Sequence, residues 1–175
     1  LFAQKAKYIA QFDIDPAEID KVKRVDWHHL GDISKALDAL REHAAVHGFD
    51  PRGQGRYAAW HAHIAGLKKT HALDFDRKSE LIQPYAVIEE INRLTRGEAI
   101  ICTGVGQHQM WAAQYFDFTA PRRWLTSGSM GTMGFGLPAA IGAQFARRDL
   151  LVIDIDGDAS IRMNSGELET VTTYD

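Results

Sequence analysis

Apolar and polar positions along the chain alternate, run together or recur at helical spacing in stretches short enough to read one by one. Lys7 to Pro16 shows the partial alternation of a strand and ends at a proline that a ladder cannot easily include. Asp15-Pro16 suits the cap and first-turn positions of a short helical turn over Ala17 to Lys23. A second apolar stretch covers Val25 to Leu30. Beyond Gly31, Asp32 fits the N-cap of a helix from Ile33 to Glu42, with Ile33, Ala36, Leu37 and Leu40 on one face. Gly48 to Gly55 is loop chemistry, because its glycines and Pro51 deny a regular element. Tyr57 to Thr70 then reads as an exposed helix with Trp60, Ile64 and Leu67 on one stripe, and His71 to Glu80 as a polar, extended crossing.

From Pro84 the pattern changes. Tyr85 to Leu94 is amphipathic at helical spacing, Gly97 closes that helix, and Ala99-Ile100-Ile101-Cys102-Thr103 is the short apolar run of a buried parallel strand. The strand runs into Gly104-Val105-Gly106. A second glycine-rich passage, Ser127 to Pro138, leads into a small-residue helix over Ala139 to Ala146. Leu150 to Ile155 predicts another buried strand, opening onto Asp156-Gly157-Asp158-Ala159-Ser160 and a helix beginning near Met163. Strand, glycine turn and helix in repeated order imply a parallel α/β sheet with its loops at the strands' carboxyl ends.

Composition divides the chain in the same place. Residues 1–80 carry 13 basic and 12 acidic side chains and seven of the eight histidines; residues 81–175 carry seven Arg, no Lys, 11 acids and ten of the 15 glycines. The formal net charge of −3 over 175 residues gives no electrostatic reason to expect nucleic acid or an anionic membrane as partner. No apolar run approaches the roughly 20 residues of a membrane span. Cys102, the single cysteine, reads as a buried small hydrophobe. His61 and His63 are two apart on a helix and point to different faces, which argues against a metal site there. Leu1 is not a starting Met and Tyr174-Asp175 falls within a helix-like pattern, so the chain is expected to be an internal segment.

Glycine turns and helix N-termini form anion sites, since the main chain can approach a phosphate closely there. Several such turns on one sheet edge point to a phosphorylated cofactor. A nicotinamide fingerprint fits poorly, for Gly104-Val105-Gly106 lacks its third glycine and position 109 is Gln; a Walker loop is excluded because no Gly-Lys-Ser or Gly-Lys-Thr occurs. Asp154, Asp156 and Asp158, at the end of a strand, suit a hard cation such as Mg²⁺ completed by cofactor phosphates, and spacing alone leaves all three open as ligands.

Four passages in order carry a resemblance: Gly104-Val105-Gly106-Gln107-His108-Gln109-Met110-Trp111-Ala112-Ala113-Gln114; Arg122-Arg123-Trp124; Gly131-Thr132-Met133-Gly134-Phe135-Gly136-Leu137-Pro138 through Gly142; and Gly157-Asp158-Ala159-Ser160. Together the chain resembles the large catalytic subunit of acetohydroxyacid synthase, also called acetolactate synthase, a thiamine-diphosphate enzyme. Lys5 to Asp32, with Asp13-Ile14-Asp15-Pro16-Ala17-Glu18-Ile19, resembles the end of that family's central, FAD-binding domain. The resemblance is weakest over residues 44–80.

This resemblance implies α/β, parallel-sheet three-layer domains: residues 1–46 as the end of the central domain, 47–80 as a linker with a helix, and 81–175 as the first half of the thiamine-diphosphate-binding domain. It assigns Gln107 and His108 to the cofactor's diphosphate and neighbouring atoms, Gly131 and Met133 to its pyrimidine, and Met133 to the wedge that bends its two rings together. Asp158 becomes the Mg²⁺ ligand of a Gly-Asp-Gly motif whose last position is here Ala159, followed by Ser160, both also counted as cofactor-binding. Asp13 and Asp15 would lie near the adenosine side of a structural FAD. The implied reaction is decarboxylation of pyruvate and transfer of the two-carbon unit to pyruvate or 2-oxobutyrate, on the route to branched-chain amino acids. The catalytic glutamate of the family lies outside this chain, as does an Asn-rich half of the Mg²⁺ site, so the chain alone is expected to be inactive. Partners implied are a homodimer or higher homo-oligomer and a small regulatory subunit, in a bacterial cytoplasm or an organelle. The competing readings are another thiamine-diphosphate carboligase, decarboxylase or oxidase, and a non-catalytic fragment.

Overall fold

The computed structural model describes residues 3–49, 55 and 57–174. Residues 50–54, most of the expected Gly48 to Gly55 loop, lie outside the described ones. The chain divides into two compact units, residues 1–70 and 71–175.

In the first unit β1 (Ala10–Asp13) pairs in parallel with β2 (Trp27–Leu30), with Ala10 opposite Trp27 and Asp13 opposite Leu30. A 3-10 turn, Pro16–Glu18, begins the crossing between them. Asp15 caps it by accepting the Ala17 N–H at 2.8 Å, the satisfaction of an orphan donor that the Asp-Pro pair promises. Helix α1 (Ile33–Val46) starts at the expected residue, where Asp32 Oδ1 accepts the N–H groups of Ser34 and Lys35 at 2.9 and 3.2 Å. It runs one turn beyond Glu42, because Ala44, Ala45 and Val46 contain nothing to stop it. Helix α2 (Ala58–Thr70) buries no residue.

The second unit holds a three-stranded parallel sheet in the order β4-β3-β5. Its strands are β3 (Ile100–Thr103), β4 (Trp124–Thr126) and β5 (Val152–Ile155). Cys102 stands opposite Leu125 on one side and Asp154 on the other. The sequence pattern finds β3 and β5 but not β4, whose three residues are too few to show a period. Central β3 is fully buried, whereas β5, expected to be buried, is only half covered because it pairs on one side.

Strand alternation sends Ile101, Ile153, Ile155 and Trp124 to one face. There they meet α3 (Pro84–Thr95) and α4 (Gln107–Tyr115) in a core centred on Ile88, Ala99, Ile101, Ala112 and Phe116. The opposite face is covered by α5 (Gly136–Ala146), which packs on β3, β4 and β5. The result is the expected three-layer parallel α/β arrangement. Helix α3 ends on left-handed Arg96 (φ 55°), followed by Gly97 (φ 71°). Glycine is required at 97, where a Cβ would lie 2.5 Å from Asp117 O. Beyond β5 come α6 (Asp158–Met163), a 3-10 turn and α7 (Leu168–Thr173). Helical structure therefore begins at Asp158 and not near Met163: an acid in the first turn favours early initiation.

Candidate functional site

At the carboxyl ends of the parallel strands, three loops and two helix starts enclose a cavity of about 340 Å³. The turn after β3 contributes Val105 and Gly106, and the first turns of α4 contribute Gln107, His108 and Trp111. Met133 enters from the loop between β4 and α5; Asp156 to Ser160 enter from the turn after β5 and the start of α6. Six residues assigned from the sequence, Gln107, His108, Met133, Asp158, Ala159 and Ser160, therefore meet in one place although 53 positions separate the first from the last.

Close backbone approach shapes this site. The His108 imidazole lies between two glycines: a Cβ at Gly106 would come 2.8 Å from its Cε1, and one at Gly157 would come 2.9 Å from the same atom. A Cβ at Gly104 would overlap both Asp156 Oδ1 and Ser160 Oγ. No side chain caps α4, since Gly106 is its N-cap, so the positive end of a nine-residue helix lies at cavity-lining Gln107 and His108. On the same helix Gln109 is a structural fastener: its Nε2 donates to Thr126 Oγ1 at 2.7 Å and Ser127 O at 3.2 Å, and Thr126 Oγ1 lies 2.6 Å from Thr103 Oγ1. Three polar groups thus tie the ends of β3 and β4 to α4.

The three aspartates have separate surroundings. Asp154 lies on the α5 side, where its Oδ1 is 2.5 Å from the place a Cβ would take on Gly136, and neither oxygen has a hydrogen-bond partner among the described residues. Burial, reinforced by the charge of Asp156, pushes its carboxyl up to about 6. Asp156, 3% exposed at its side chain, accepts its neighbour Gly157 N–H through Oδ1 and faces His108 Nε2 at 3.5 Å, while its Oδ2 has no partner. Asp158 is exposed at the cavity wall. Among the described residues no three His, Cys, Asp or Glu side chains gather to hold a metal, so a cation at Asp158 would need ligands beyond these side chains.

Gly131 does not line the cavity; it takes a left-handed turn (φ 63°) beside Val105, in a loop closed where Thr132 N–H donates to Ser127 Oγ at 3.0 Å. Asp13 and Asp15 belong to the first unit, and each uses Oδ1 locally, accepting the N–H of Asp15 and Ala17 respectively. Trp111 and Tyr115 separate as well: Trp111 lines the cavity and meets Tyr85 edge-on at 5.6 Å, whereas Tyr115 packs against Tyr85 and Phe75. From sequence, Trp111 and Tyr115 face either the substrate pocket or a dimer partner; the structure puts Trp111 in the cavity wall, on one helical face with His108 three residues before it and Gln107 four before it. Cys102 is fully buried in β3, and burial pushes its thiol up to about 12, so it is inert.

Residues 104–175 match the family model described as thiamine pyrophosphate enzyme, C-terminal TPP binding domain. Across 170 residues, 97% of the chain, it is 46% identical to acetolactate synthase 1, chloroplastic, of Nicotiana tabacum, of which it covers 25%. Acetolactate synthase, chloroplastic, of Arabidopsis thaliana is 44% identical over the same span, again with 25% covered. The mitochondrial acetolactate synthase catalytic subunit of Aspergillus candidus is 44% identical over 172 residues, covering 95% of this chain and 24% of that protein. The chain thus spans about a quarter of the length of these relatives.

Proposed function

We propose, on the premise that residues 104–175 belong to the thiamine pyrophosphate enzyme family and that nearly the whole chain is related to acetolactate synthases, that this is the cofactor-holding segment of an acetolactate synthase. The complete protein would join pyruvate, after decarboxylation, to a second 2-oxo acid, pyruvate or 2-oxobutyrate. One observation carries the reading: Gln107 and His108 at the start of α4, Met133 on a loop and Asp158 at the start of α6 line a single cavity.

The residues present fit thiamine diphosphate with Mg²⁺. Gly106 and Gly157, lacking Cβ atoms, let the His108 imidazole pack between them at the cavity wall; its buried Nε2 makes no hydrogen bond among the described residues, its neighbour there being Asp156 Oδ1 at 3.5 Å, and Asp158 supplies a hard oxygen. Bound there, the cofactor supplies a carbon nucleophile and an electron sink for decarboxylation and carbon–carbon bond formation. The start of α4, with Gln107 and His108, binds the diphosphate through N–H groups and the helix dipole. Asp158 would be this chain's carboxylate for the cation. Asp156 orients His108 from behind, and the apolar, polarizable Met133 side chain supports the rings at the cavity wall. Trp111 lines one side of the cavity.

For the first unit we propose a structural FAD with Asp13 and Asp15 near its adenosine side; since Oδ1 of each is engaged locally, that contact falls to Oδ2. A homodimer or larger homo-oligomer and a small regulatory subunit complete the proposed assembly. The relatives' names, chloroplastic and mitochondrial, support an organellar compartment, which cell fractionation tests. No helix among the described residues is long and apolar enough to cross a membrane.

In the full-length protein Asp158→Asn is expected to weaken Mg²⁺ and thiamine diphosphate together, by more than the ~10-fold typical of losing an outer-shell metal partner. Activation curves for both that match wild type would sink the Asp158 assignment. A full-length protein that consumes pyruvate without forming acetolactate would shift the reading to another enzyme of the same cofactor.

A further inference from the structure

Two side chains from the segment that follows the Asp158 turn hold both backbone groups of Gly134, the residue after Met133, and so the two peptide units that flank it. Ser160, 1% exposed on α6, accepts the Gly134 N–H through Oγ at 3.0 Å. Asn164, just past the end of α6, donates from Nδ2 to Gly134 O at 2.7 Å. Both backbone groups of one buried glycine are thus satisfied by side chains about 30 positions away, in a loop where no ladder or helix serves them. The fit is tight. Gly134 is left-handed (φ 85°), and a Cβ there would lie 2.9 Å from Met163 Cβ and 3.0 Å from Asn164 Nδ2.

We infer that Ser160 and Asn164 are positioning residues that clamp the backbone at Gly134 from both sides and so join the segment bearing Asp158 to the loop bearing Met133, making the two ends of the cavity one mechanical unit. The inference rests on the proposed function for its catalytic consequence, but the clamp itself is a property of this chain. The reason for such a link is geometric. Met133 belongs to a loop and has no regular element to fix its height against the cavity, while a displacement of about 1 Å in a positioning group can cost up to 100-fold in rate. Two hydrogen bonds to the two peptide units flanking Gly134, the first of which joins it to Met133, supply that fixity, and the one from Gly134 N–H is buried. They also make α6 the common support: anything that orders the turn at Asp158 orders the Gly134 peptide with it.

The test uses the full-length protein, with Ser160→Ala removing the acceptor and Asn164→Asp replacing the donor by an acceptor of the same shape. Amide hydrogen exchange over residues 131–136 is read against a β3 peptide, residues 99–103, with and without Mg²⁺ and thiamine diphosphate; cofactor affinity and kcat are measured in parallel. In the wild type, Mg²⁺ and thiamine diphosphate are expected to slow exchange at Gly134 further. In each variant Gly134 is expected to exchange at least about tenfold faster with β3 unchanged, the cofactor-induced slowing is lost, and kcat falls about tenfold; in Asn164→Asp, whose side chain does not line the cavity, cofactor affinity changes far less. Should Ser160→Ala fail to fold, Asn164→Asp carries the comparison alone. Exchange that rises equally in β3, or does not rise at Gly134, overturns the clamp, as does an unchanged kcat. Failure of the wild-type protein to bind thiamine diphosphate would count against the proposed function instead, and exchange in the cofactor-free protein still decides the clamp.

Discussion

Gly104 shows how narrowly one atom can be constrained at the end of a strand. A Cβ there would overlap Asp156 Oδ1 and Ser160 Oγ, both held by other contacts. Gly104→Ala is expected to cost about 2–3 kcal/mol, the usual range for overpacking. Gly142, inside α5 with nothing within 4 Å of its missing Cβ, should behave oppositely: Ala there should stabilise by about 0.5–1 kcal/mol. Urea denaturation of the two variants reads both signs. Asp154 makes a second residue-scale prediction. Its carboxyl titrates near 6 in the folded protein against an ordinary 3.8, so between about pH 4 and 6 the folded state binds more protons than the unfolded one. Stability therefore falls as pH rises through that window, by no more than about 3 kcal/mol, and the loss is complete above it. Asp154→Asn should flatten that slope in urea midpoints measured from pH 4 to 7; an unchanged slope would show that the carboxylate is not desolvated.

At the scale of elements, β3 is the axis of the second unit. It pairs on both edges, carries α3 and α4 on one face and α5 on the other, and Ile101 on it is fully buried. Ile101→Ala should cost about 3–4 kcal/mol by lost transfer energy and an uncollapsed cavity, whereas Ile101→Val should cost about 1; thermal melts by circular dichroism check the ranking. The unbroken apolar run from Ala99 to Cys102 is enough to mark this strand, because a strand covered on both faces must be apolar throughout. β4 escapes the same reading. Its Trp124, Leu125 and Thr126 become a strand only because Ile101, Cys102 and Thr103 offer a free edge beside them.

Over the whole molecule stability is distributed unevenly. Helix α2 buries nothing and β3 buries every residue. Native-state hydrogen exchange should therefore show α2 amides opening with little more than local cost and β3 amides only with global unfolding of their unit. Comparable protection in both would contradict the burial pattern.

The sequence by itself determined most of the elements, the glycine turns and the parallel α/β class, because periodicity and caps are written in neighbouring positions. Asp32 and Asp15 cap where their spacing says they should. It could not rank Asp154, Asp156 and Asp158, since two-residue spacing makes them equivalent until the strand ends at Ile155 and the chain turns. Only the tertiary structure sent the first toward α5, the second toward His108 and the third to the cavity wall. Likewise, nothing in the sequence joins Gly134 to Ser160 and Asn164. Those hydrogen bonds exist because packing against a shared sheet brings a loop and a helix start, some 30 residues apart, within 3 Å.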